Sequence, residues 1–542
     1  MRIEPTLIAS RARWSVAVAT LLALRWFFPP RDLNTVGMVA VRDLAFTLAL
    51  WVLFLAISTG IGLRIIRYLA LPGISSLESL LYGFALGVGA LAYILLGLGL
   101  IGFLNTGVIA VLIIGLSWLL APELSKLVKD LLELGLRAYR VWQAAGATGK
   151  VAALVAVSIG VLAFVNALSP PWDYDGLMYH LVGPKLFLEA QRVLPHPDNW
   201  YVNGPFTVEI LFTVGMIFGD DVFPKLVHYS MGLLFLGATY SIASRWFSQK
   251  TALLSVAILL TVPTLPVWAS IAYIDLGWSA FEVLGLGALL VWWRERGQGW
   301  LLLSGTMIGL AAGSKYLGLM AVAVLGGFVL ISTWKLGWRR SFRAGLTFGL
   351  TAAIVAAPWY LKNVIWFGNP IFPLVFGGPG WDVLRLELYS AYLDSFGAGR
   401  GLIDYLLLPW NVYARHEEFG TVMNEIDIPS LLFLGLLLVW RWPHQVMRAL
   451  IFIAGARFLL WSLGSQQIRF LLPIYPALAI GAGYVIERLE SPRTISRRLG
   501  LFFSILLIGL MGVTLFYQFQ IATQFNPIPV NIGVESRNDF FS

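Results

Sequence analysis

Apolar runs long enough to cross a bilayer recur along almost the whole chain, and that limits what it can fold into. In lipid every backbone donor and acceptor must be satisfied internally, and about 20 mostly apolar residues make a spanning α-helix. The candidate spans are 14–28, 43–63, 80–103, 106–121, 150–168, 222–244, 251–270 and 277–293. They continue with 300–316, 317–334, 345–363, 429–440, 447–463, 471–488 and 499–519. The expected fold class is an all-α polytopic membrane protein, a helix bundle with about 15 spans. Composition points the same way. Of 542 residues 58% are hydrophobic and 12% charged, against about 25% charged in soluble domains.

Charge tests the count of spans. Basic residues cluster at Arg2/Arg11/Arg13, Arg64/Arg67, Lys126 to Lys150, Arg245/Lys250 and Arg294/Arg296. Further clusters lie at Lys335/Arg339/Arg340/Arg343, Arg441/Arg448 and Arg488 to Arg498. With the spans above, every cluster falls on one side, as cytoplasmic loops do, so the net charge of +9 implies a membrane orientation and no nucleic-acid partner. The alternation holds only if 206–219, which opens at Pro205 and carries Glu209, is re-entrant or interfacial. The opposite side then receives two sizeable loops, 169–221 and 368–428, both expected to carry short helices. In the first, Leu177, Leu181, Leu186, Phe187 and Ala190 share one face of an amphipathic helix near 176–191. The second holds eight acidic residues against three arginines.

Three regions follow: N-terminal helices over 1–149, a core over 150–520, and a tail over 521–542. The tail reads either as a short outer segment or as a chain that ends early. There are no cysteines, which excludes disulfides and thiolate metal sites and fits an oxidising exterior. The run 14–28 leads into Pro29-Pro30-Arg31-Asp32 without a small-residue cleavage site, so it reads as a first span and not a signal peptide.

With this orientation, unusual polar residues gather on the outer side. Asp173, Asp175, Tyr179 and His180 follow span 150–168, and Tyr273 and Asp275 follow span 251–270. Lys315 and Tyr316 sit at an outer turn, Lys362, Asn363 and Asn369 emerge from span 345–363, and Gln466, Gln467 and Arg469 precede span 471–488. Ionisable residues at membrane depth are by default functional candidates. Lys315 and Arg469 can hold a lipid phosphate, the arginine through its fork of donors, and Asp175 can deprotonate an acceptor hydroxyl. Plainer uses exist for each. Lys315 and Arg469 suit snorkelling anchors, Asp275 a helix cap, and His180 a packing or hydrogen-bonding role. Two carboxylates two residues apart, Asp173 and Asp175, can hold a divalent cation such as Mg²⁺ or Mn²⁺, but no further ligand spacing accompanies them.

The segment Asp175-Gly-Leu-Met-Tyr179-His180-Leu resembles the acidic first-loop motif of the bacterial GT-C membrane glycosyltransferases, the superfamily of protein O-mannosyltransferases and lipid A aminoarabinose transferases. The resemblance continues through Gly204-Pro205-Phe206-Thr207-Val208-Glu209, Ala272-Tyr273-Ile274-Asp275 and Gly313-Ser-Lys315-Tyr316. It extends to Pro358-Trp-Tyr-Leu-Lys362-Asn363, Gly368-Asn369-Pro370 and Gln467-Ile-Arg469-Phe-Leu-Leu-Pro473, so it covers roughly 150–540. It implies a GT-C-like helix bundle, a polyprenyl-phosphate-linked sugar as donor, and a glycan, lipid or protein acceptor. It also implies inversion at the sugar and a site on the outer face of the bacterial cytoplasmic membrane. The catalytic aspartate maps to Asp175, with Asp173 just upstream. His180, Tyr179, Glu209, Tyr273, Asp275, Lys315, Tyr316, Asn369, Gln467 and Arg469 become substrate-binding candidates. In two respects the chain departs from the family: Asp175-Gly176 replaces an Asp-Glu pair, and four spans precede the usual first core helix. A lipid or solute transporter and a polysaccharide polymerase or ligase remain as rival readings. Against them stand the clustering of polar residues on the outer side, the lack of an inverted repeat, and an acidic second loop where a polymerase would use arginines.

Overall fold

The computed structural model describes residues 5–27, 30, 32–420, 429–490 and 497–542. Arg2, the 421–428 part of the second loop and the 491–496 part of the last basic cluster lie outside the described residues, as does the Arg11 side chain. Each of the fifteen apolar runs carries a helix. Among the described residues ten helices are long and apolar enough to cross a membrane. The count is eleven if Thr106–Leu119 and Ala121–Ala144, bent by 69°, form one broken span. The difference from fifteen has physical causes. Gln249–Leu259, Gln298–Ala312, Leu431–Arg441 and Thr106–Leu119 are short, and Pro5–Phe27 carries Arg11, Arg13 and Arg25.

The bundle is built around Asp275–Glu295, which is buried without interruption from Asp275 to Trp292. It packs against Phe223–Trp246, Gln298–Ala312 and the turn Ile468–Ile474. Small residues set the close spacing: a Cβ at Gly305 or Gly309 would lie 2.9 Å and 2.6 Å from the backbone oxygens of Phe348 and Ala352. That Gly-xxx-Gly face lets Gln298–Ala312 pack directly on the backbone of Trp338–Phe367. Within the bundle Arg457 pairs with Glu282 at 3.4 Å, both buried.

The N-terminal helices join the same core. Met38–Ile66 and Ser76–Leu100 pack together, and buried Arg25 donates to Asp43 at 2.7 Å and to the Phe218 carbonyl at 2.9 Å. The segment 206–219 forms a 3₁₀ turn, Glu209–Phe212, and a short helix, Thr213–Met216. Every residue from Pro205 to Gly215 is buried, so it wedges into the protein and forms no spanning helix.

Sequence reading passed over Ala121–Ala144 as a helix, because its seven charged residues rule it out as a span. Lys126, Lys129, Asp130, Glu133, Arg137 and Arg140 share one face, and the apolar residues occupy the other. Its start is fixed by buried Glu123, which takes Arg64 at 3.0 Å and Arg67 at 2.9 Å, and by Leu127 packed with Leu63 and Leu80. Beyond this anchor Val128, Leu131, Leu132, Leu136 and Tyr139 are exposed. A helix with one apolar and one charged face, bent away from the apolar helix before it, has the form of an interfacial helix.

Candidate active site

The first loop does not form the single amphipathic helix expected over 176–191. It forms a π-helical turn, Gly176–His180, and then an α-helix, Val182–Glu189. The wider turn inserts a residue and breaks the common face. Leu181 and Phe187 are buried as expected, while Leu177 and Ala190 are exposed. Asp173 starts the turn: its Oδ1 accepts the Gly176 N–H at 2.7 Å. A Cβ on residue 176 would overlap this carboxylate, so Asp173 explains why glycine follows Asp175. Burial pushes the Asp173 carboxyl up, and the charge on Lys225 offsets only part of that.

Asp175 Oδ2 receives Arg469 Nη1 at 2.7 Å and the Tyr179 hydroxyl at 3.1 Å. Its Oδ1 has no partner among the described residues. Burial works to raise the Asp175 carboxyl, but Arg469, with Lys315 adding to it, holds the group below its ordinary value. The carboxylate is therefore ionised at neutral pH. Gln467 Oε1 accepts Arg469 Nε at 3.1 Å, and the Gln467 carbonyl accepts Trp461 Nε1 at 2.8 Å, so the guanidinium is aimed from behind.

A second ion pair stands beside the first. Lys315 Nζ lies 2.8 Å from Oδ1 of Asp275, which is fully buried at the start of the central helix. Phe470 joins the two cations: Lys315 Nζ lies 4.6 Å from its ring centroid and Arg469 Cζ 5.3 Å. Arg469 also lies 5.7 Å from the Tyr273 ring. Beneath, His180 Nδ1 is 3.1 Å from Glu209 Oε1 and both side chains are buried. Burial lowers His180 to about 3, so its imidazole is neutral at neutral pH, and burial raises Glu209 well above its ordinary value.

Seven sequence candidates thus form one constellation: Asp175, Tyr179, Tyr273, Asp275, Lys315, Gln467 and Arg469. His180 and Glu209 support it from below. Tyr316 and Asn369 brace the second loop. Tyr316 donates to the Phe372 carbonyl at 3.0 Å and accepts from Asn363 at 2.9 Å, while Asn369 donates to the carbonyls of Leu374 and Gly377. Lys362 is drawn inward, 2.8 Å from the Asn203 carbonyl. Phe470 escaped the sequence reading although it adjoins Arg469. So did the aromatic residues Trp200, Tyr201, Tyr389 and Tyr392, because aromatic side chains are common all along this chain. Among the described residues no group of three or more His, Asp or Glu side chains is placed to hold a metal ion. Asp173 and Asp175 are directed to different partners, a backbone N–H and Arg469.

Residues 204–362 match the family described as dolichyl-phosphate-mannose-protein mannosyltransferase, a stretch that holds Glu209, Tyr273, Asp275 and Lys315. No curated protein matches the chain. Among solved structures, ArnT from Cupriavidus metallidurans bound to undecaprenyl phosphate aligns at 20% identity and a TM-score of 0.47 over 72% of this chain and 79% of that one. The apo oligosaccharyltransferase of Archaeoglobus fulgidus aligns at 14% identity and a TM-score of 0.40, over 70% and 56%. The oligosaccharyltransferase AglB of the same organism, in complex with an inhibitory peptide and a dolichol-phosphate, aligns at 14% identity and a TM-score of 0.37, over 68% and 56%.

Proposed function

We propose that this protein is a membrane glycosyltransferase of the GT-C superfamily that moves a sugar from a polyprenyl-phosphate donor to an acceptor hydroxyl, with inversion at the anomeric carbon. The observation that carries the proposal is the Asp175–Arg469 pair, which leaves Asp175 Oδ1 open. Arg469 and Lys315, both against the Phe470 ring, form a cationic seat for the donor phosphate. The acceptor hydroxyl lies against Asp175 Oδ1. As its oxygen bonds to the anomeric carbon, the bond from that carbon to the phosphate oxygen breaks and the electron pair leaves on the phosphate. The acceptor proton passes to Asp175. Charge building on the leaving phosphate is met by the two cations, which are already in place. Attack from the Asp175 side opposite the phosphate gives inversion.

The reaction face is the extracytoplasmic side of the bacterial cytoplasmic membrane. Two features support this. Asp275 opens its helix and Arg294 stands 19 residues further on, about 29 Å away at 1.5 Å per residue, which is close to the thickness of the hydrocarbon core. Arg245, Glu78 and Glu295 form an ion-pair network near the Arg294 end, among the basic loops typical of a cytoplasmic side.

The test is transfer by purified protein in lipid nanodiscs, with a panel of undecaprenyl-phosphate-linked sugars, wild type beside Asp175→Asn. Asp175→Asn is expected to lose on the order of 10²–10⁴-fold in rate while still binding undecaprenyl phosphate. Unchanged transfer by the variant would remove Asp175 as the base. Movement of lipid across the bilayer with no turnover would replace the proposal with a transporter.

A further inference from the structure

An aromatic ladder runs outward from Asp175. Tyr179, whose hydroxyl is on Asp175, stacks on Tyr201 with ring centroids 4.6 Å apart, and Tyr201 stacks on Trp200 at 3.8 Å. The edge of Trp200 meets Tyr389 at 4.9 Å, and Tyr389 lies near-parallel to Tyr392 at 6.5 Å. Tyr389 and Tyr392 are three positions apart and share a face of Val383–Asp394, a helix without a single buried residue. The Tyr392 phenol is near enough to Arg469 and Asp175 to feel both charges. The hydroxyls of Tyr201, Tyr389 and Tyr392 bond to no described residue and are not sealed from solvent.

We propose that Tyr389 and Tyr392, braced by the stacked rings of Trp200 and Tyr201, form an acceptor platform for a neutral saccharide. The proposal rests on the transferase reading and names the acceptor class of that same site. A sugar ring has an apolar C–H face and a rim of hydroxyls. It complements rings that offer a flat apolar area and a polar tip at the same place. Charge narrows the class. Glu387 and Asp394 lie on the far face of this helix, but Asp382 caps its start on the tyrosine face, and its one arginine, Arg385, turns back to the Gly380 carbonyl. An anionic acceptor is repelled there. An extended peptide would want unpaired backbone edges, and a helix whose own N–H and C=O groups are paired offers none along its length. Stacking leaves the acceptor hydroxyls free to point toward Asp175 Oδ1.

The test is retention of the full-length protein, in detergent, on an array printed with neutral glycans, anionic glycans and Ser/Thr-containing peptides. Retention on a subset of neutral glycans is expected, with little on the other two. Tyr389→Leu, which removes a ring, should weaken it at least tenfold, and Tyr392→Phe, which removes only a hydroxyl, a few-fold. Retention on peptides, or on no glycan, overturns the platform. So does a Tyr389→Leu variant with a lowered melting temperature and undiminished glycan retention, because the ring then only packs loop on helix. Sugar release from undecaprenyl-phosphate-linked mannose, glucose and arabinose is measured alongside. Release without glycan retention refutes the platform and leaves the transferase reading standing. Glycan retention without release from any donor does the reverse.

Discussion

Arg469 and Asp175 are 294 positions apart in sequence, yet their charged atoms lie 2.7 Å apart beside the rings of Tyr179, Tyr273 and Phe470. Each neutralises the other, as Lys315 and Asp275 do beside them. In the proposed reaction a donor phosphate seated on Arg469 would draw the guanidinium away from Asp175. Burial, which already works to raise that carboxyl, then acts with less opposition. The proposed donor seat thus links donor binding to a more basic Asp175. Replacing Arg469 with Gln removes the cation permanently. The acid limb of the pH–rate profile should move to higher pH, and the rate should fall at least about a hundredfold. A variant with an unmoved acid limb would mean that Arg469 does not set the ionisation of Asp175.

Gly176 tests the role of Asp173. A Cβ there would overlap the Asp173 carboxylate, which holds the start of the π-helical turn. Gly176→Ala should therefore cost about 1–3 kcal/mol and displace Asp175, visible as a lower melting temperature and slower transfer. Combining it with Asp173→Gly relieves the overlap but loses the cap. The double variant should recover stability relative to Gly176→Ala without recovering the full rate. If Gly176→Ala melts like wild type, the turn is less constrained than this packing implies.

How far the sequence could be read depended on where each signal resides. The helical stretches were legible because an apolar run has one solution in lipid, and Asp275–Glu295 follows 277–293 within two residues at each end. Ala121–Ala144 was missed because a search for spans passes over a helix whose charges lie on one face. The polar residues of the site could be collected because they stand out in an apolar chain. Their pairing could not be, because Arg469 meets Asp175 only after the central helix and the Ile468–Ile474 turn have packed together. The face expected over 176–191 failed at Leu177 and Ala190, because nothing in periodicity announces a π-helical turn.

His180 should make the fold acid-sensitive. Its folded value of about 3 lies below the ordinary 6.5, so between those limits the unfolded chain binds the extra proton and stability rises with pH. Glu209 runs the opposite way. Its folded value is raised, so its contribution is complete below the unfolded carboxyl value near 4.5 and is lost as pH climbs through the folded one. Below about pH 6.5 the His180 contribution falls by on the order of 1 kcal/mol per pH unit. Glu209 offsets this in wild type over the same range, so the readout is the difference: the melting temperature of His180→Gln should rise relative to that of wild type as pH is lowered from 6.5 to 5. Equal slopes would show that His180 is not held neutral by burial.

The chain lacks cysteine, so single cysteines can locate the Ala121–Ala144 helix relative to the membrane. Leu132 and Glu133 are adjacent and both exposed in the protein, but they lie on the apolar and the charged faces. In water alone the two would react alike. With the helix in the interface, Leu132 enters the acyl region while Glu133 stays among headgroups and solvent. In proteoliposomes permeabilised to give access to both sides, Glu133→Cys should label with a charged maleimide at least about tenfold faster than Leu132→Cys. The difference should vanish in unfolding detergent. Lys126, Lys129, Arg137 and Arg140 project from the charged face, so anionic phospholipid should deepen the protection of Leu132→Cys. Equal labelling of both positions in bilayers would instead place this helix clear of the membrane, in solvent or against a partner.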